Sequence, residues 1–134
     1  MKYHTLLKHA QAARKRSHSP FSRFRVGAAV LARSGKVYTG CNIEVSSYGL
    51  TMCAERNAIF KAVSEGEKRF KAIAVVSDLD HFTSPCGACR QVLMDLAGDI
   101  DFVMGTSDGE IKVMKLGQLL PFPFGAKDLP KPKS

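Results

Sequence analysis

Cys53-Ala54-Glu55-Arg56, followed about thirty residues later by Pro85-Cys86-Gly87-Ala88-Cys89, decides how the rest of the chain is read. The two blocks offer three thiols and one carboxylate, a donor set that suits Zn²⁺ with a proton carrier beside it. Cys86 and Cys89 are three residues apart, which places both sulfurs on one side of a first helical turn, where one ion can bridge them. A zinc with three protein ligands keeps its fourth tetrahedral position for water, so such a site is catalytic and not merely structural. Glu55 follows Cys53 by two positions and cannot point the same way on a helix. From a helix start it can still reach the open position from the side, which suits proton transfer better than ligation. If both Cys-bearing helices begin at one end of a sheet, their N-terminal N–H groups and dipoles favour thiolate over thiol.

Working outward, the spacing predicts a helix capped by Thr5 and running to about Arg16, with Leu6, Leu7, Ala10 and Ala13 as its apolar stripe. Residues 25–32 and 37–43 read as two strands of a hairpin turning at Ser34-Gly35. A helix is expected from Thr51 to about Ser64, stopped by Gly66, with Cys53 in its first turn. A strand over 71–77 precedes a helix that Ser84-Pro85 starts and that runs through Leu96 to a stop near Gly98. Short strands at 100–105 and 111–115 and a short helix near 116–120 complete the order. This pattern predicts an α/β fold with one mixed sheet covered by helices on both faces. Residues 1–134 read as a single domain, large enough to bury a real core, with 130–134 as a loose tail.

The formal charge of +8 is unevenly distributed. Residues 1–25 carry seven Lys or Arg and no acid, and residues 126–134 add a further net +2, which leaves the body near neutrality. Basic ends of this kind read as solvated surface and do not name a substrate. A nucleic-acid-binding protein with structural zinc is the reading from a different class. It would need a phosphate-tracking groove with interleaved aromatics, and no such motif is present. No apolar run approaches a membrane span, the N-terminus opens no signal-peptide core, and the clustered cysteines favour metal over disulfides, so a cytoplasmic protein is expected.

Taken alone, Cys86-x-x-Cys89 also suits a redox pair, and Cys41 as a fourth sulfur would close a structural site. Neither reading uses Glu55, and Cys41 is expected to pack as a small apolar residue in its strand. Three thiolates leave the zinc unit at −1, so a nearby positive group should compensate, and Arg56 is the candidate. Arg90 reads as surface or packing. Asn42 and Glu44, two apart on an extended segment, share a face and together can grip a diol. His4, His9, His18 and His81 form no ligand pair with the cysteines.

Several separated blocks in order, Pro20-Phe21-Ser22-Arg23-Phe24-Arg25-Val26-Gly27-Ala28-Ala29, Gly40-Cys41-Asn42-Ile43-Glu44, the two Cys motifs and Phe124-Gly125, resemble the zinc-dependent cytidine deaminases. Among these the chain is similar to the small homotetrameric, three-Cys type. The resemblance implies a three-layer αβα sandwich around a five-stranded sheet, one Zn²⁺ per subunit on Cys53, Cys86 and Cys89, and Glu55 as the general acid/base, a chemistry general to zinc deaminases. It further implies that Arg56 draws charge from the ligand thiolates and that Asn42 and Glu44 hold the ribose. Phe24 and Ala54 would line the base pocket, and Phe124 and Tyr48 would reach a site in a neighbouring subunit. The implied reaction converts cytidine and 2′-deoxycytidine to the uridines in pyrimidine salvage. A deaminase of another cytosine-containing compound, such as blasticidin S, keeps the chemistry and changes the substrate.

Overall fold

A computed structural model describes residues 1–130, so most of the expected tail lies outside the described residues. The elements are α1 (Tyr3–Arg14), β1 (Val26–Ala32), β2 (Val37–Cys41), α2 (Ala54–Ser64), β3 (Phe70–Ser77), α3 (Gly87–Ala97), β4 (Asp101–Gly105), β5 (Ile111–Lys115) and α4 (Leu116–Leu119). The five strands form one sheet in the order β2-β1-β3-β4-β5. β3 and β4 run parallel and every other neighbouring pair is antiparallel, so the sheet is mixed as expected.

β1 is buried along its whole length because both of its faces are covered. Ala29 and Leu31 join Ala72, Ala74, Val76 and Val103 beneath the Leu6, Leu7 and Ala10 stripe of α1. Ala28 and Val30, with Ile73, Val75 and Phe102, face Ala58, Ile59 and Leu93 of α2 and α3. The alternation along each strand thus sorts side chains into two cores, giving helix, sheet and helix layers. Small residues set the layer spacing. A Cβ on Gly27 would lie 2.0 Å from the Ala10 carbonyl, and one on Gly40 would lie 2.5 Å from the Ala58 nitrogen, so helices rest directly on the sheet at both points.

Several boundaries differ from the sequence expectation, each for a local reason. α1 starts at Tyr3, not at a Thr5 cap, because the Lys2 carbonyl already accepts the N–H groups of Thr5 and Leu6. It ends at Arg14, where Arg16 and Ser17 close tighter turns onto Ala13 and Arg14. The second strand stops at Cys41, paired with Gly27, because β1 offers no partner beyond Val26; Ile43 instead bridges His18 and Met52. That Ile43–Met52 bridge keeps the chain extended before the next helix, so α2 begins at Ala54 and not at Thr51. Gly66, at φ 98°, follows its end as anticipated.

Asp78, just past β3, ties the end of α1 to the segment entering β1. It accepts from Arg14 Nη1 at 2.7 Å and from the Arg25 N–H at 2.9 Å, and it pairs with Arg25 Nη2 at 2.9 Å. Burial works against its charge, yet the Arg25 side chain and N–H, with Arg14, outweigh it and hold the carboxyl below the ordinary aspartate value. A carboxyl lowered in the folded state stabilises above its unfolded value of about 4, and that contribution fades as pH falls through the folded-state value. Urea midpoints measured from about pH 5 down to pH 2 should therefore fall less steeply for Asp78→Asn than for wild type. Gly27→Ala should destabilise the fold by about 1–3 kcal/mol or more in urea unfolding at neutral pH, because neither the α1 backbone nor β1 can yield.

Candidate metal and active site

Cys53 and Cys86 each occupy the residue immediately before a helix, in extended backbone conformation, and Cys89 sits in the first turn of α3. The Cys86 sulfur accepts the Cys89 N–H at 3.4 Å, acting as the cap of that helix. Cys53 therefore precedes α2 and is not inside its first turn, but its sulfur still faces the same place. Cys53 Sγ lies 3.9 Å from Cys86 Sγ, Cys86 Sγ lies 3.4 Å from Cys89 Sγ, and all three fall within 4.8 Å of one another. Two sulfurs bound about 2.3 Å from one tetrahedral zinc would be about 3.8 Å apart. The three-sulfur group fits such an ion, and among the described residues no histidine joins it.

The protonation pattern also shows why a cation suits this place. Hydrogen bonding from the Cys89 thiol brings Cys53 down to about 5, with partial burial opposing and Arg56 and Cys86 assisting. Cys89, donor to Cys53 and buried, is held far above an ordinary thiol. Thiols this close cannot all ionise on their own, whereas a divalent ion removes the repulsion that keeps Cys89 protonated. Arg56 Nη2 donates to Cys53 Sγ at 3.3 Å, and this bond firmly favours its charged form. The expected compensating cation is therefore in contact with a ligand.

Glu55, the second residue of α2, is 5% exposed. Burial pushes its carboxyl up to about 7, and the Cys53 charge adds to the rise. Its own N–H, a hydrogen bond with Cys89 and the Arg56 charge oppose it. A carboxyl balanced near neutrality beside a metal-ligating group can both accept and return a proton under ordinary conditions.

Asn42 and Glu44 form a second group at the end of β2. Asn42 Oδ1 accepts from the Val26 N–H at 2.9 Å and from Ser17 Oγ, while its Nδ2 donates to the Phe24 carbonyl at 2.7 Å. Glu44 is hydrogen-bonded to Ser22 and Phe21, and the Ser22 hydroxyl, foremost among these, holds its carboxyl below the ordinary value. Phe24 packs half-buried against the core of α2 and α3. Asn57 of α2 donates to the Cys41 carbonyl at 2.8 Å, linking this strand end to the helix that carries Glu55. Ala54 is wholly buried at the start of α2.

Phe124 is not drawn into either group, whereas Tyr48 shares a cleft with Glu44 of the second. Tyr48, 73% exposed, meets Phe21 edge to face at 5.5 Å, beside a cleft of about 390 Å³ lined also by Ser22, Glu44 and Thr51. Phe124 is 57% exposed, and its carbonyl accepts from Gln91 of α3. Cys41 is half-exposed, not buried, and its thiol points to the Arg16 carbonyl, away from the sulfur group. Arg90 proves to be a tie: it donates to the Pro85 and Leu119 carbonyls and to Ser84, bracing the loop before Cys86. Sequence reasoning missed Ser17 and Ser22. Their only signal was position, within reach of a polar pair whose folding partners lie over twenty residues away.

The sequence profile of the cytidine and deoxycytidylate deaminase zinc-binding region matches residues 1–106. The chain belongs to that deaminase family. It is 49% identical over 125 residues to a cytidine deaminase of Halalkalibacterium halodurans, covering 92% of this chain and 95% of the relative. It is 46% identical to that of Sporosarcina psychrophila, covering 92% of each. The crystal structure of cytidine deaminase from Burkholderia pseudomallei superimposes with a TM-score of 0.90 at 44% identity, over 92% of this chain and all of that one. The deaminase fold of three layers around five strands is thus shared, and zinc is the ion that the three sulfurs serve. Purified protein should carry one zinc per chain by elemental analysis. Cys86→Ala should lose most of it, while Cys41→Ala should keep it.

Proposed function

We propose that this chain hydrolytically deaminates cytidine and 2′-deoxycytidine to uridine and 2′-deoxyuridine, releasing ammonia. The observation that carries this reading is a buried carboxyl, Glu55, at the start of α2 beside three converging thiols. The named activity of relatives that match nearly the whole chain supports it. Cys53, Cys86 and Cys89 would hold Zn²⁺, which when bound would supply Lewis-acid charge that acidifies water at neutral pH. Glu55 takes the proton that the attacking water gives up on its carboxylate and delivers it to the pyrimidine ring nitrogen, which makes the amine-bearing carbon electrophilic. Once the C–O bond has formed, the same carboxylate takes the second proton, from the hydroxyl now on that carbon, and passes it to the amine, so that the carbonyl forms as the C–N bond breaks and ammonia leaves. Arg56 tempers the ligand charge through Cys53.

In this reading Phe24 walls the base, Ala54 contributes backbone groups, and Asn42 and Glu44 hold the sugar. Tyr48 and Phe124 complete the site of a neighbouring subunit in a homotetramer, a role that their exposure on this chain supports. Four unpaired cysteines suit a reducing, cytoplasmic setting and a place in pyrimidine salvage. Among the described residues no helix is long and apolar enough to cross a membrane. A relative named blasticidin-S deaminase, 32% identical over 77% of this chain, marks the competing substrate class. Against it stands the Asn42 and Glu44 pair, which suits a sugar.

Wild type should lower the ultraviolet absorbance of cytidine and release ammonia. Glu55→Gln with matched zinc content should lose about 10² to 10⁴ or more in rate. Intact cytidine in the presence of stoichiometric zinc would overturn the proposed substrate.

A further inference from the structure

The Glu44 carboxylate faces the turn that delivers Phe24. Its Oε1 accepts the N–H groups of Phe21 and Ser22, each at 3.0 Å, and its Oε2 accepts the Ser22 hydroxyl. The same Ser22 oxygen accepts the Phe24 N–H at 3.0 Å. A carboxylate has about four acceptor positions, so three are taken and one, on Oε2, is left for a ligand. The direction of that last position depends on where the Ser22 hydroxyl holds Oε2. One hydroxyl therefore joins the acid proposed to grip the sugar to the backbone of the residue proposed to wall the base.

The turn needs such a tie. Arg23, between Ser22 and Phe24, adopts φ 58°, a left-handed conformation uncommon for residues other than glycine. Asn42 holds the Phe24 carbonyl, and Asp78 holds the Arg25 N–H, but neither reaches the Glu44 carboxylate. Among the described residues, only Ser22 is hydrogen-bonded to both the Glu44 carboxylate and the Phe24 backbone.

We propose that Ser22 is a positioning residue for sugar recognition: its hydroxyl aims the free acceptor of Glu44 at a nucleoside hydroxyl. The inference rests on the reading of Glu44 as a sugar-binding residue. Ser22 itself is exposed, so removing its hydroxyl opens no buried void, and both backbone bonds to Oε1 survive.

The test compares steady-state kinetics of wild type, Ser22→Ala and Ser22→Thr on cytidine and on 2′,3′-dideoxycytidine, which lacks the 2′- and 3′-hydroxyls and keeps the 5′-hydroxyl. Ser22→Ala should raise the KM for cytidine about tenfold, the scale of one hydrogen bond to a charged group, with kcat within about twofold. The preference for cytidine over the dideoxy compound should fall about as much, and Ser22→Thr should restore it. In a Glu44→Gln background, Ser22→Ala should add little further loss, because the two act through one contact. Equal losses on both substrates, with or without a fall in Tm, would assign Ser22 a merely structural role and overturn the inference. So would unchanged kinetics, failed rescue by Thr, or additive losses with Glu44→Gln. If Glu44→Gln itself leaves the cytidine preference intact, the sugar-binding reading falls, and this inference falls with it.

Discussion

Three thiols within 4.8 Å of one another are the constraint around which this molecule is arranged. Without a cation they compete for charge, which drives Cys53 down and Cys89 up. With one, they become a single unit that holds two helix starts together. α2 and α3 belong to different strand-to-helix passages, and their N-termini meet because both rise from the same end of the sheet. The helix starts in turn supply N–H groups to the site, and that of Cys89 donates to the Cys86 sulfur. The metal site and the layer packing are thus mutually dependent.

The second dependence runs through small residues. Gly27 lets α1 lie on β1, and Gly40 lets α2 lie on β2, close enough that a methyl group would collide with backbone atoms. α2 carries Glu55 into the core side of the sheet, where burial raises its carboxyl toward neutrality. The Glu55 carboxyl owes its burial to the same close approach that packs the layers. A looser α2 would hydrate Glu55 and return it to an ordinary acid.

The Asn42 and Glu44 group is organised differently. The two side chains are engaged with Ser17, Phe21, Ser22, Phe24 and Val26. These bonds fix both side chains, so little side-chain freedom is left for any ligand to remove. Asp78 performs a comparable service further out, holding Arg25 and α1 against the same segment.

Periodicity and motif spacing were enough to read the element order, the mixed sheet and the three cysteines that converge beside Glu55. These depend on local rules: side-chain period, turn residues and the donor chemistry of Cys and Glu. Exact helix starts were not legible, because α2 is delayed by an Ile43–Met52 bridge and α1 is advanced by the Lys2 carbonyl, contacts that no propensity encodes. Nor did the chain reveal that Cys41 points away from the sulfur group, that Arg90 braces the Cys86 loop, or that Ser22 joins Glu44 to Phe24. By itself the sequence determined which reactive groups the chain carries and how they are spaced, since identity and spacing are covalent facts. Only the tertiary structure decided which of them share a hydrogen bond, a burial or a charge, since those follow from segments twenty or more residues apart being packed together.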